Sequence, residues 1–114
     1  KIQGREERQR KKLLADAKAV ERAGAFCLVL EAIPARLAAE ITQTVRIPTI
    51  GIGAGVNCDG QVLVIHDLLG IAGAFRPKFV KQYANLEAVI TKAVTAYRSE
   101  VKKKRFPSAQ HSFE

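Results

Sequence analysis

Glu31 closes an apolar run. In FCLVLEAIP, residues 26–30 carry no charge, and Ala32, Ile33 and Pro34 follow the carboxylate. An ionised group among apolar neighbours costs free energy unless it is paired or used. Two readings follow. Glu31 is either held in a buried ion pair, with Arg76 or Lys78 as its partner, or it is a general base. Apolar surroundings strengthen a carboxylate as a base, which suits proton transfer.

Three other stretches carry chemistry-bearing or ligand-tolerant residues. GIGAG, residues 51–55, lacks the GxGxxG spacing and the acidic residue of a dinucleotide site. Its glycines, Gly53 and Gly55 above all, either let a ligand approach the backbone or mark tight packing or a bulge. CDGQ contains Asp59-Gly60, a turn signal. His66 and Asp67 stand side by side, as a site pair or as a satisfied rim histidine beside an aspartate that caps the next turn. Arg76 and Lys78 flank Pro77 and either meet an anionic substrate tail or stay solvated.

The elements that must position these residues alternate. A helix is expected from Glu6, with Leu13, Ala17 and Val20 at helical spacing, Leu14 beside them, and Gly24 as the stop. Residues 26–30 read as a strand covered on both faces. Pro34 opens a second helix carrying Leu37 and Ile41. A second strand follows Pro48 and ends in the glycine turn. Residues 62–66 are expected to form a third strand ending at His66 and Asp67, although Val62, His66 and Leu69 also fit a helix. A long helix with Leu86, Ile90, Ala93, Val94, Tyr97 and Val101 as its stripe ends in Lys102, Lys103, Lys104 and Arg105. The closing segment, residues 106–114, is too apolar for a free tail, and Phe106 and Phe113 are expected to dock, on another subunit for instance.

This order predicts an α/β fold with a mostly parallel sheet. Three strands leave both edges open, so further strands from another segment or chain are expected. The second and third strands are too close in sequence for an ordinary crossover helix; either that pair is unusual or a loop replaces the helix. In such folds ligands bind beyond the C-terminal strand ends, where Glu31, Gly53, Gly55, His66 and Asp67 are expected to gather.

The bulk properties narrow the classes. The chain has 114 residues, enough for one domain, and a formal net charge of +8 from 19 basic and 11 acidic side chains. The basic residues are not interleaved with aromatics and form no nucleic-acid module, so no nucleic-acid partner is expected. No apolar run has the length of a membrane span. Cys27 and Cys58 lack CxxC spacing and read as thiols of a reducing, cytoplasmic compartment. The sequence contains no methionine, so a start upstream of Lys1 is expected.

LVLEAIP, IPTIGIGAGVNCDGQVLVIHDLLG, RPKFVKQYANL and FPSAQHSF together resemble the C-terminal part of ketopantoate hydroxymethyltransferases, over nearly the whole chain. The resemblance implies a (β/α)8 barrel enzyme of pantothenate biosynthesis, more than twice as long as this chain. It implies transfer of a hydroxymethyl group from 5,10-methylenetetrahydrofolate to 3-methyl-2-oxobutanoate, with Mg2+ holding the keto acid. Glu31 matches the family glutamate that removes the substrate proton. The metal ligands and the side chains that hold the keto acid belong to the family's N-terminal half, so no metal ligand is expected here. His66 belongs to a later His-Asp motif. The chain is then a C-terminal fragment or one product of a split polypeptide, active only with its N-terminal half, in a homo-oligomer such as a decamer. Two other classes remain: a non-catalytic assembly fragment whose apolar edges bind partner chains, and a different barrel enzyme acting on 2-oxo acids.

Overall fold

Alanine and long unbranched side chains favour helix, and they build α1, Glu7–Arg22, which ends where Gly24 turns to φ 100°. Strand β1, Leu28–Glu31, leads to α2, Ala35–Thr44, then to β2, Thr49–Ile52, and a two-residue β3, Gly60–Gln61. The structure is a computed structural model that describes residues 1–71 and 73–114. It divides into two compact units, Lys1–Leu63 and Val64–Glu114.

In the first unit the three strands are parallel, in the order β1-β2-β3. Leu28 pairs with Thr49 and Glu31 with Ile52; Ile50 pairs with Gly60. Side chains alternate between sheet faces. Leu28 and Leu30 therefore share a face with Thr49 and Gly51, and the helices cover that face. The core lies there, built from Ala17, Leu30, Ile33, Leu37, Ala38, Ile41, Val45 and Ala54. Arg10 ties the helices together: its Nη1 donates to both oxygens of Glu40 at 2.6 Å and its Nε to Glu7 Oε2 at 3.0 Å. The Arg10 hydrogen bond holds the Glu7 carboxyl below its usual range. Both side chains are open to solvent, so this pair adds little stability.

The opposite face carries Val29, Ile50, Glu31 and Ile52. Val29 is 58% exposed, and Phe26, just before β1, is 88% exposed. The expectation of a strand covered on both faces is corrected here. Only one layer of helices exists in the unit, so nothing in it covers the second face.

The loop alternative for the second crossover is what the structure contains. Residues 53–59 run back beside β2 without helix, and Cys58 takes the space above Gly51, whose added Cβ would lie 2.9 Å from Cys58 Sγ. The third strand is corrected too. It covers Gly60–Gln61, not residues 62–66; Val64 is the N-cap of α3, Ile65–Leu69. His66 is thus a helical residue. Gly70, at φ 73°, closes α3, with Ile71 N donating to His66 O at 2.8 Å and Gly70 N to Asp67 O at 3.3 Å.

The second unit also contains α4, Leu86–Lys102, capped by Asn85. Its expected stripe is present but uncovered: Ile90, Val94, Tyr97 and Val101 are all exposed. Phe106 packs edge-on against Tyr97 and near His111, each at 5.6 Å between ring centres. The tail thus docks first on its own helix, while Phe113 stands fully exposed.

Candidate active site

Strand pairing decides where Glu31 sits. Leu28 N donates to Pro48 O and Ala32 N to Ile52 O, each at 2.9 Å. In a parallel ladder alternate residues face alternate neighbours. Val29 and Glu31 therefore turn their backbone groups to the open edge of β1. Their side chains rise from the apolar face left uncovered. Glu31 is the last residue of the strand, so its carboxylate stands at the C-terminal end of that face.

Gly53 follows Ile52, the register partner of Glu31. Neighbouring strands lie about 4.8 Å apart, so the glycine turn and Glu31 meet at one end of the sheet. Gly53 has φ 65° and Gly55 φ 82°. Gly55 has a packing reason as well: an added Cβ would lie 2.3 Å from Ala35 Cβ. The tight-packing reading of Gly55 is therefore correct, whatever else the turn does. Gly24, at φ 100°, has nothing within 4 Å of the same position. Gly55→Ala is expected to cost about 2–4 kcal/mol, the sum of left-handed strain and overpacking. Gly24→Ala should cost only the first part. Denaturant unfolding of the two variants, made in the complete polypeptide, measures the difference; equal losses would contradict the packing argument.

Ala32 carries the least expected backbone at the site. It sits at φ 51° without being glycine. Its N–H is held by Ile52 O, and its carbonyl accepts from Gln3 N at 3.2 Å. Strain of this kind, about 1–3 kcal/mol, persists where surrounding bonds enforce it, and it clusters at functional sites. No feature of an alanine signals this conformation, so the sequence could not reveal it.

Glu31 is exposed. Ion pairs among the described residues are those of Arg10 with Glu7 and Glu40. An apolar groove of about 230 Å³ runs along the open edge beside Glu31, lined by Leu13, Ala17, Val20, Leu28, Val29 and Ile33 among others. Glu31, Gly53 and Gly55 share the first unit; His66, exposed on α3, and Asp67, half-buried, belong to the second. Neither stands at a strand end, because β3 ends at Gln61. Asp67 does not cap α3 with its side chain; the N-cap is Val64. Arg76 donates to Gln82 Oε1 at 3.2 Å, and Lys78 is exposed.

The described residues contain no group of three His, Cys, Asp or Glu side chains close enough to hold a metal ion. Beside Glu31 the uncovered face offers Val29, Ile50 and Ile52, which donate nothing to a cation. These residues do not fit a magnesium site by themselves. No helix among them is long and apolar enough to cross a membrane.

A carboxylate at a strand end, a glycine turn beside it and a sheet with one bare face make a candidate site. Comparison with known proteins decides which family it comes from. The family model described as ketopantoate hydroxymethyltransferase matches residues 1–109. The chain belongs to this family. Over 113 residues it is 59% identical to the 3-methyl-2-oxobutanoate hydroxymethyltransferase of Geobacter metallireducens, covering 99% of this chain and 42% of the relative. Identity is 60% to the protein of that name from Geotalea daltonii, with the same coverage. It is 58% to that of Ruegeria sp. strain TM1040, over 99% of this chain and 40% of the relative. The chain thus spans about two fifths of the length of its ketopantoate hydroxymethyltransferase relatives.

Proposed function

We propose that this chain is the C-terminal portion of a (β/α)8 barrel that transfers a hydroxymethyl group from 5,10-methylenetetrahydrofolate to 3-methyl-2-oxobutanoate, a step of pantothenate biosynthesis. One observation carries the reading: Glu31 ends β1 on the uncovered apolar face, with the glycine turn at its side. A barrel interior is such a face, and barrel enzymes place their catalytic groups at the C-terminal strand ends.

In this reading the segment preceding Lys1 lays a strand along the open edge of β1. It fills the groove beside α1 and covers Val29 and Phe26. It also brings the acidic ligands for Mg2+, of which the described residues hold no cluster, and the groups that hold the keto acid. Within this chain Glu31 removes the proton from C3 of the keto acid. The resulting carbanion, delocalised as an enolate, forms the new C–C bond to the one-carbon unit; both C–N bonds of that unit to the folate break, the two nitrogens take up the proton from C3 and one from water, and the same water supplies the hydroxyl oxygen. The turn at residues 53–55 leaves backbone, without side chains, beside the flat co-substrate. The test is direct. The complete polypeptide, supplied with both substrates, should form 2-dehydropantoate, whereas a folded enzyme inert with this pair would contradict the reading.

The complete enzyme is proposed to be a cytoplasmic homo-oligomer, such as a decamer. Phe113, left bare by its own chain, and the uncovered stripe of α4 support extensive packing against other segments. Deleting residues 106–114 from the complete enzyme should lower the mass seen by light scattering. An unchanged mass would place the tail outside the subunit contacts.

A further inference from the structure

The crossover from β2 to β3 lacks the helix that would make it self-supporting. A helix holds its own shape through i to i−4 hydrogen bonds. The loop at residues 53–59 has no such ladder, so its shape depends on its tethers. At its upper part Gln61 Nε2 donates to Gly55 O at 2.8 Å, and Gly55 lies where any added Cβ would clash with Ala35. At its lower end Asp59 Oδ2 accepts from Thr49 N at 2.8 Å, and Asp59 N donates to Thr49 Oγ1 at 3.2 Å. Thr49 is fully buried. Its hydroxyl lies 2.9 Å from Thr42 Oγ1, which donates to Ala38 O at 2.8 Å.

The proton count gives this chain a direction. Thr42 and Thr49 have one hydroxyl proton each. If Thr42 donates to Ala38 O, Thr49 must donate to Thr42, and Thr49 Oγ1 is then free to accept from Asp59 N–H. In that arrangement no proton lies between Thr49 Oγ1 and Asp59 Oδ2, 3.2 Å apart; the Thr49 hydroxyl instead donates to Asp59 Oδ2 whenever it is not given to Thr42. Every donor in the chain from Asp59 through Thr49 and Thr42 to Ala38 has an acceptor, and aligned bonds reinforce one another. The relay joins the end of the loop to the first residue of β2 and to the helix that follows β1.

We propose that Asp59 is a positioning residue: through Thr49 it tensions the helix-free crossover and so sets residues 53–55 beside the end of β1, where the one-carbon donor binds. The inference rests on the hydroxymethyl transfer proposed above. Asp59 touches neither substrate in this account.

The test uses Asp59→Ala and Asp59→Asn in the complete enzyme, with Thr49→Val as a third variant that removes the hydroxyl at nearly constant shape. KM for 5,10-methylenetetrahydrofolate should rise about tenfold or more in Asp59→Ala and Thr49→Val, since small misplacements of a binding surface have effects of this size. Exchange of the keto acid C3 hydrogen without folate should stay within about twofold, because Glu31 is untouched. Asparagine, which keeps an oxygen for Thr49 N–H, should restore most of the donor KM. A donor KM unchanged in folded Asp59→Ala and Thr49→Val would overturn the proposal. So would losses of exchange and transfer that merely track the folded fraction by circular dichroism. A wild-type enzyme without transfer would overturn the functional reading as well; wild-type transfer with unmoved variants would overturn this inference alone.

Discussion

Glu31→Gln in the complete enzyme should lower kcat by at least about a hundredfold, since general base roles are typically worth about 10² to 10⁴ in rate. Glutamine keeps the size and hydrogen-bonding outline of the side chain but cannot take a proton. Subunit mass and unfolding midpoint should hardly move, because glutamine keeps the shape of the side chain and Glu31 has no ion pair in its own unit to lose. Metal affinity should also be nearly unchanged if the ligands come from the preceding segment. A stable variant retaining more than about a tenth of wild-type kcat would remove Glu31 from the chemistry. Loss of folding together with activity would assign it a structural role.

The chain on its own should show no turnover and little cooperative folding. Val29, Phe26, Ile90, Val94, Tyr97 and Val101 are exposed here, and each is worth roughly 1 kcal/mol or more when covered. Together that is at least about 6 kcal/mol, comparable with the whole stability of a small domain. The open edge of β1 adds unpaired backbone groups that invite association. Expression of the 114 residues alone, followed by size-exclusion chromatography and a transfer assay, checks this. Aggregated or loosely folded, inactive material is expected, with activity regained when the preceding segment is supplied. A compact, active monomer would contradict the whole account of an unfinished sheet.

The parts of the fold that could be read from residues are those governed by local chemistry. Helix α1 followed from its alanines and periodic leucines, and the start of α2 from Pro34. Simple reach left two options for the second crossover, an unusual strand pair or a loop in place of the helix, and the structure contains the loop. Glu31 stood out because a charge ending an apolar strand demands a reason. The third strand misled because Val62, Val64 and Ile65 are β-branched, as strand residues usually are. Pairing with β2 extends only over Gly60 and Gln61, and Gly70 stops a helix that already contains His66. The role of Asp59 was hidden by its own neighbourhood. Asp-Gly reads as a turn, and its partner Thr49 lies ten positions away. Coverage of the second sheet face was read from apolar strands that a longer polypeptide would bury, and this chain does not contain the cover.

The central claim is that Glu31 removes the C3 proton, and solvent exchange isolates that step from transfer. The complete enzyme is mixed with 3-methyl-2-oxobutanoate in deuterated water, without folate, and loss of the C3 hydrogen signal is followed by NMR. The account predicts exchange by the wild type and its loss in Glu31→Gln in parallel with turnover. Exchange at the wild-type rate in a folded Glu31→Gln enzyme that no longer turns over would contradict it, moving Glu31 to a later step such as release of the folate amine.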